Sequence, residues 1–284
     1  MMEGDPLMDA STLMGQLGDP GLRVVDCRFL LLDPEAGRAH YREAHIPGAV
    51  YADLDRDLSA PVTAESGRHP LPSVAAMAAR LGDWGVDRTT DVLVYDAGDG
   101  SIAARLWWLL RWLGHDAVWV LDGGFQAWVA EGGDTEDGDT LASAKEFQPR
   151  ASRYRAVSTD ALVRGLDSGS MTLVDARSGE RFRGEHEPID PVAGHVPGAL
   201  SQPHAENLQP SGLMRSPVAL RELWSQRLGG IAPESVVHMC GSGVTACHNL
   251  LAMERAGLGG SVLYPGSWSE WIRDPGRPRA TGAK

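Results

Sequence analysis

Val236-Val237-His238-Met239-Cys240-Gly241-Ser242-Gly243-Val244-Thr245-Ala246 decides how the chain is read, and Cys247-His248-Asn249-Leu250-Leu251-Ala252-Met253-Glu254-Arg255-Ala256-Gly257 continues it. A short apolar, largely β-branched run reaches a cysteine, and two glycines one residue apart then let the backbone turn sharply. Apolar residues at Ala246, Leu250 and Met253 keep helical spacing as far as a stop at Gly257. The stretch predicts strand, loop and helix. A loop closing onto a helix N-terminus aims several backbone N–H groups inward, and with the helix dipole they favour a negative charge at the loop's centre. Cys240 stands where that charge belongs. A thiolate is the nucleophilic form of cysteine, and such surroundings lower a thiol pKa from about 8.5 toward neutrality. A structural core cysteine would need neither the two glycines nor the helix behind them.

Outward from this stretch the chain repeats itself with a period of about 150 residues, the length of a domain. Val24-Val25-Asp26-Cys27-Arg28 returns as Leu173-Val174-Asp175-Ala176-Arg177, and His45-Ile46-Pro47-Gly48-Ala49 returns as His195-Val196-Pro197-Gly198-Ala199. Leu121-Asp122-Gly123-Gly124-Phe125-Gln126-Ala127-Trp128 is echoed by Leu263-Tyr264-Pro265-Gly266-Ser267-Trp268-Ser269-Glu270-Trp271. Each copy opens on a polar helix start, Ser11-Thr12 and Ser158-Thr159. Short buried runs such as Val92-Leu93-Val94-Tyr95 alternate with helical stretches such as Ala104 to Leu113. The alternation predicts an α/β fold of two tandem domains, each a mainly parallel sheet flanked by helices on both faces. The first domain is expected over 1–131, a linker over 132–157, where Gly, Asp, Thr and Ser replace apolar periodicity, and the second domain over 158–284. The tail from Asp274 onward, rich in breakers, is expected to fray.

Composition narrows the function. The chain has 284 residues, 43% hydrophobic and 23% charged, with a formal net charge of −12. That acidity disfavours nucleic acid as a partner. No apolar run reaches the ~18 residues of a membrane span and the start lacks a signal-peptide pattern, so a cytoplasmic location without membrane attachment is expected. Cys27, Cys240 and Cys247 are an odd number without zinc spacing, which predicts reduced thiols, and no histidine pair has metal-ligand spacing, so no metal is expected.

CGSGVTA after a strand, with Tyr264-Pro265-Gly266-Ser267-Trp268-Ser269-Glu270-Trp271 downstream, resembles the tandem-domain rhodanese family, and within it the 3-mercaptopyruvate sulfurtransferases. The resemblance spans nearly the whole chain. It implies an enzyme without a cofactor that takes sulfane sulfur from 3-mercaptopyruvate, with thiosulfate as a second or competing small-molecule donor. The sulfur would be held as a persulfide on Cys240 and passed to a thiol acceptor, such as thioredoxin or a low-molecular-weight thiol, or to cyanide. In the first copy the nucleophile position is Asp96, which predicts a catalytically silent domain. The cell-cycle dual-specificity phosphatases share the architecture but need arginine at the end of a C-x5-R loop, and that position here is Ala246. A non-enzymatic sulfur carrier is a weaker alternative, since the loop is intact and an arginine stands ready for a substrate.

The loop N–H groups of Gly241, Ser242, Gly243, Val244, Thr245 and Ala246 are expected to cradle the persulfide. Either of two roles suits the Thr245 hydroxyl, capping the helix or meeting the persulfide. Arg181 matches the family's substrate-binding arginine in R-F-x-G and can grip a carboxylate bidentately. Arg177 is read as the structural partner of Asp175, as Arg28 is of Asp26, and Arg183 is left without a role. The second substrate arginine common among mercaptopyruvate enzymes is missing from Glu185-His186-Glu187-Pro188-Ile189-Asp190. Asp55, His69 and Ser242 match positions proposed in that family as a serine, histidine and aspartate relay, which suits a reaction that must protonate a departing enolate. His45 and His195 recur in both copies and are read as structural. Cys247 is expected to be buried behind the loop and Cys27 to follow a strand, and a regulatory disulfide has no positive support.

Overall fold

The computed structural model describes residues 4–283; the outer domain limits read from the sequence, residues 1 and 284, lie outside them. The chain divides into two compact units. The first runs to Ala60 and takes in Leu71–Arg153 and Pro210–Met214, while the second holds Pro61–Pro70, Tyr154–Gln209 and the chain from Arg215 onward.

In the first unit β1 (Leu7–Met8), α1 (Ala10–Gln16), β2 (Leu22–Asp26), α2 (Pro34–Glu43), β3 (Val50–Tyr51), α3 (Val74–Asp83), β4 (Asp91–Tyr95), α4 (Ala103–Trp112), β5 (Val118–Leu121) and α5 (Gly124–Ala130) follow in order. Its five strands lie in the order β1-β5-β4-β2-β3, all parallel, with Val24 opposite Leu93 and Val94 opposite Val120. Parallel strands are joined by crossovers that cover the sheet, so their sequences are apolar throughout rather than alternating. Val92, Leu93, Val94 and Tyr95 of β4 are all buried, and Leu13, Val24, Leu93, Leu121 and Trp128 share one core.

The second unit repeats the plan with α6 (Thr159–Asp167), β6 (Thr172–Asp175), α7 (Gly179–Arg183), β7 (Leu200–Ser201), α8 (Pro217–Leu228), β8 (Val236–Met239), α9 (Ala246–Arg255), β9 (Val262–Leu263) and α10 (Ser267–Trp271). Its strand order is β7-β6-β8-β9, again parallel, with Val174 opposite His238. Leu162, Leu173, Val237, Tyr264 and Trp268 are among its core residues. The α/β class and the paired, helix-flanked parallel sheets read from the sequence are those of the structure. Among the described residues no helix is long and apolar enough to cross a membrane.

Several expectations give way. Helix α1 is capped by Asp9, whose carboxylate accepts from the Thr12 N–H at 2.7 Å, and not by Ser11, which donates to the same carboxylate. Ser158 does cap α6. Residues 132–153 belong to the first unit: the Glu136 backbone pairs with His45, Trp128 Nε1 donates to the Asp134 carbonyl, and Phe147 is buried. The tail is tied down. Ala280 and His195 exchange backbone hydrogen bonds at 2.9 Å, and the Gly282 N–H donates to the Arg183 carbonyl. Single anchors of this kind leave no periodic trace in sequence, so breaker content alone misread the tail.

Candidate active site

Strand β8 ends at Met239 and delivers Cys240 to the first position of the loop, with its side chain almost enclosed at 2% exposure. The loop bends through Gly243, whose φ is +78° and whose absent Cβ would lie 2.4 Å from the Pro265 carbonyl oxygen. Only glycine fits there. Helix α9 then starts at Ala246 and runs to a left-handed Gly257 (φ +69°). The Gly243 N–H donates to Cys240 Sγ at 3.1 Å. Among the described residues the N–H groups of Gly241, Ser242, Val244, Thr245 and Ala246 donate to no protein acceptor. The Thr245 hydroxyl makes no capping hydrogen bond, which removes the cap from its two expected roles.

Helix α10 holds the loop from behind. The Trp268 and Ser269 N–H groups donate to the Cys240 and Gly241 carbonyls at 3.0 and 2.9 Å. Ser267 Oγ accepts from the Cys240 N–H at 3.1 Å and donates to the Tyr264 carbonyl at 2.9 Å. Ser267 makes both bonds at φ +53°, a conformation that costs a non-glycine residue on the order of 1–3 kcal/mol.

Ser242 Oγ lies 2.7 Å from His69 Nδ1, both residues buried at 6% and 4% exposure. His69 comes from Pro61–Pro70, the one segment of the first half that folds with the second unit. Arg68 precedes it, with its N–H on Ser269 Oγ at 3.1 Å and its guanidinium Nη1 against Asp190 Oδ1. Asp55 belongs to the first unit, where its N–H donates to Asp53 Oδ1 at 3.0 Å; burial pushes its carboxyl pKa up, Asp53 adds to the rise and Arg56 opposes it.

Arg181 lies on α7, which Ser178 caps and Gly184 ends at φ +75°. Its Nε sits 3.0 Å from both Glu187 oxygens, and its Nη2 reaches Glu187 at 2.8 Å and Asp190 Oδ2 at 3.0 Å. The segment that lacks an arginine thus provides two carboxylates. Burial alone would raise the Glu187 pKa, yet hydrogen bonds from Arg181 and the Asp190 N–H hold it below the ordinary value; for Asp190 burial wins and its pKa is raised, against the pull of Arg68. The Nε/Nη2 edge of Arg181 is therefore already occupied. Its Nη1 is left without a protein partner among the described residues. A Cβ on Gly241 would lie 2.9 Å from Arg68 Nη2, 3.4 Å from Arg181 Nη2 and 3.6 Å from Arg181 Nη1, so both guanidinia stand over the residue after the cysteine.

The remaining residues sort as structural. Arg177 Nη2 pairs with Asp175 at 2.6 Å and lies over the Trp268 ring, and Arg28 repeats the pairing with Asp26 at 2.7 Å. His195 Nδ1 donates to the Phe182 carbonyl, 2.7 Å away, and His45 Nδ1 donates to the Tyr41 carbonyl at the same distance. Arg183 pairs with exposed Glu185. Cys27 and Cys247 are buried and in no disulfide, and burial, with Asp26 beside it, pushes the Cys27 thiol far up. In the first unit's own loop Asp96 accepts four N–H bonds, from Gly98 and Gly100 at 3.0 Å, Ile102 at 2.9 Å and Ala103 at 3.1 Å. Among the described residues no cluster of three or more His, Cys, Asp or Glu is placed to hold a metal ion. Sequence reading missed Arg68, Glu187, Asp190, Ser267 and Ser269, although Arg68 stood beside His69 and both serines lay inside the repeated motif.

The arrangement offers a thiol nucleophile, unclaimed amides for an anion, a hydroxyl–imidazole pair and two guanidinia. Comparison with known proteins bears on what such a set does. The model of the Rhodanese-like domain matches residues 9–131 and 158–274. Among curated proteins, "Probable 3-mercaptopyruvate sulfurtransferase" of Pseudomonas aeruginosa is 47% identical over 283 residues, 99% of this chain and 100% of that one. Thiosulfate sulfurtransferase of Bos taurus is 33% identical over 269 residues, 92% of this chain and 88% of its own. Among solved structures, 3-mercaptopyruvate sulfurtransferase from Leishmania major superposes with a TM-score of 0.83 at 32% identity, covering 96% of this chain and 76% of that one. Two matched domains, likeness along almost the full length and a cysteine loop at the end of the second copy's central strand leave one family: the chain belongs to the rhodaneses and is a sulfurtransferase, working between a sulfur donor and a sulfur acceptor.

Proposed function

We propose that the chain is a 3-mercaptopyruvate sulfurtransferase that carries sulfur as a persulfide on Cys240. The observation that carries this reading is the Ser242–His69 pair, 2.7 Å apart and buried, two residues after the cysteine. Thiolate Sγ attacks the donor's sulfur, an S–S bond forms, and the C–S bond breaks with its electron pair going into the enolate of pyruvate. That enolate needs a proton, and the donor's own thiol proton, taken up and returned through Ser242 and His69, meets the need. The product pair is pyruvate and an anionic persulfide. Amides of Gly241, Ser242, Gly243, Val244, Thr245 and Ala246 are the groups available to stabilise it. A thiolate acceptor, such as thioredoxin or a low-molecular-weight thiol of the cytoplasm, or cyanide, then takes the outer sulfur and frees the Cys240 thiolate. Asp55 is the carboxylate that the family pattern assigns to the same relay.

Thiosulfate is the second reading, favoured by the two guanidinia at Gly241, which suit a dianion. Against it, the loop itself carries no cation: Gly241 and Ser242 stand where thiosulfate-preferring rhodaneses place basic residues. Mass spectrometry after incubation with each donor, together with kcat/KM for both, tests the choice. One added sulfur on the wild type and none on Cys240→Ser is expected, with mercaptopyruvate ahead of thiosulfate by at least about tenfold, or about 1.4 kcal/mol. A persulfide on Cys27 or Cys247 with turnover retained in Cys240→Ser, or a preference for thiosulfate, refutes the reading.

A further inference from the structure

We propose that Arg68 supplies the second guanidinium for the donor's carboxylate, so that the acid group is held between Arg68 Nη2 and Arg181 Nη1 directly over Gly241. The inference rests on the reading of the donor as a 2-oxo acid. Mercaptopyruvate needs its carboxylate fixed while its sulfur faces Cys240, and the residue next to Cys240 is the glycine over which both guanidinia stand. Each arginine has committed one side to carboxylates of the protein. Arg181 gives Nε and Nη2 to Glu187 and Asp190, and Arg68 gives Nη1 to Asp190. Arg181 Nη1 and Arg68 Nη2 have no partner among the described residues, and Arg68 Nε is buried and unpartnered as well. Both free nitrogens lie within 3.6 Å of the point where a Gly241 Cβ would stand, close enough together for one carboxylate to bridge them. Asp190, 2% exposed, acts as the shared post that turns the two side chains toward each other.

The position of Arg68 is built, not incidental. Its N–H is held by Ser269 Oγ, the preceding Gly67 packs where a Cβ would come 2.5 Å from the Gly266 carbonyl oxygen, and the Ser66 carbonyl accepts from Arg273 at 3.3 Å. Those contacts fasten the segment to the same helix, α10, that holds the Cys240 loop. They also explain how a donor site can dispense with an arginine downstream of α7. The guanidinium arrives instead from more than 100 residues upstream in sequence, beside His69. A glycine at 241 is then a requirement of the clamp, since a Cβ there would come 2.9 Å from Arg68 Nη2 and push that guanidinium out of place.

The test compares two donors that differ only in the acid group, 3-mercaptopyruvate and mercaptoacetone, in wild type, Arg68→Met and Arg68→Lys, with pyruvate as a competing carboxylate. Arg68→Met should lose kcat/KM for mercaptopyruvate at least tenfold more than for mercaptoacetone, mainly through KM, and weaken inhibition by pyruvate at least tenfold. Arg68→Lys, which keeps the charge and loses the planar fork, should fall between. Equal losses on both donors, with pyruvate inhibition changed less than twofold, would overturn the clamp. If the wild type does not use mercaptopyruvate at all, the donor reading fails by itself. Pyruvate binding to Cys240→Ser, measured by calorimetry with and without Arg68→Met, then still decides: a tenfold loss supports the clamp, and no difference or no binding refutes it.

Discussion

Replacing Ser242 by alanine removes one hydroxyl from a contact that geometry makes consequential. Ser242 Oγ and His69 Nδ1 are 2.7 Å apart and nearly sealed from solvent, so the lost bond is replaced neither by water nor by another side chain of the loop. A hydrogen bond to a group that becomes charged is worth about 1.5–3 kcal/mol, which corresponds to roughly 10- to 160-fold in rate. The loss should fall on the step that protonates the enolate, hence on kcat with mercaptopyruvate. Thiosulfate breaks an S–S bond and leaves sulfite, which needs no carbon protonation, so the same variant should lose less than about fivefold with that donor. Pyruvate and sulfite release at one fixed acceptor concentration report the two reactions separately. His69→Gln should match the effect, and because the two groups act as a unit, the double variant should cost about as much as the worse single one. Equal losses on both donors, or strictly additive single effects, would refute a proton-relaying pair and reduce the contact to loop support.

Gly241→Arg with Ser242→Lys places new cations where Arg68 and Arg181 already stand, with the first new carbon 2.9 Å from Arg68 Nη2; mercaptopyruvate turnover should fall at least tenfold and its advantage over thiosulfate should narrow or invert, and an unchanged ratio in steady-state rates would show that loop charge does not choose the donor. His238, on β8 beneath the loop, is buried with its pKa pushed down to about 3 by burial, so the folded state refuses a proton that the unfolded chain accepts below its ordinary 6.5. Its contribution is therefore fully present above 6.5 and lost as pH falls toward 3, at up to about 1.4 kcal/mol per pH unit, and denaturant unfolding of His238→Leu should show a shallower acid limb than wild type; parallel slopes would refute this.

Much of this was open to a reader of the sequence because it is local. The run Val236 to Met239, the two glycines and the period of Ala246, Leu250 and Met253 specify strand, turn and helix from neighbours alone, and the repeat extends that reading to the other copy. Arg177 with Asp175 and Arg28 with Asp26 are two residues apart and equally legible. The residues that finish the site are not local. Pro61–Pro70 lies within the first half of the chain yet folds with the second unit, so the company kept by His69 and Arg68 could not follow from their position. Glu187 and Asp190 looked like the absence of an arginine, and only their hydrogen bonds reveal them as the holders of two. Ser267 adopts a left-handed conformation that no serine advertises, and the groups its hydroxyl meets, the Cys240 N–H and the Tyr264 carbonyl, are set by the fold.

The two copies of the loop test the same electrostatic idea in opposite ways. In the first unit Asp96 fills the cradle with a charge of its own: its Oδ1 takes the N–H groups of Gly98 and Gly100 and its Oδ2 those of Ile102 and Ala103. Burial still pushes its pKa up, Asp99 adding to the rise, so the four bonds offset only part of the cost of enclosing a carboxylate. A loop so occupied has already given the amides of Gly98, Gly100, Ile102 and Ala103 to its own carboxylate. Cys240 ends in one atom where Asp96 ends in two, and Sγ takes a single N–H, that of Gly243. The neighbouring amides stay unclaimed among the described residues. A second sulfur bonded to Sγ would stand about 2 Å farther out, as a carboxylate's oxygens stand beyond its carbon, and would bring negative charge to the groups that the thiolate cannot reach. On the proposed persulfide mechanism the loop would therefore match the sulfur-loaded cysteine better than the unloaded one, which would favour loading from a donor, while transfer onward would require an acceptor nucleophilic enough to draw the sulfur out of that cradle.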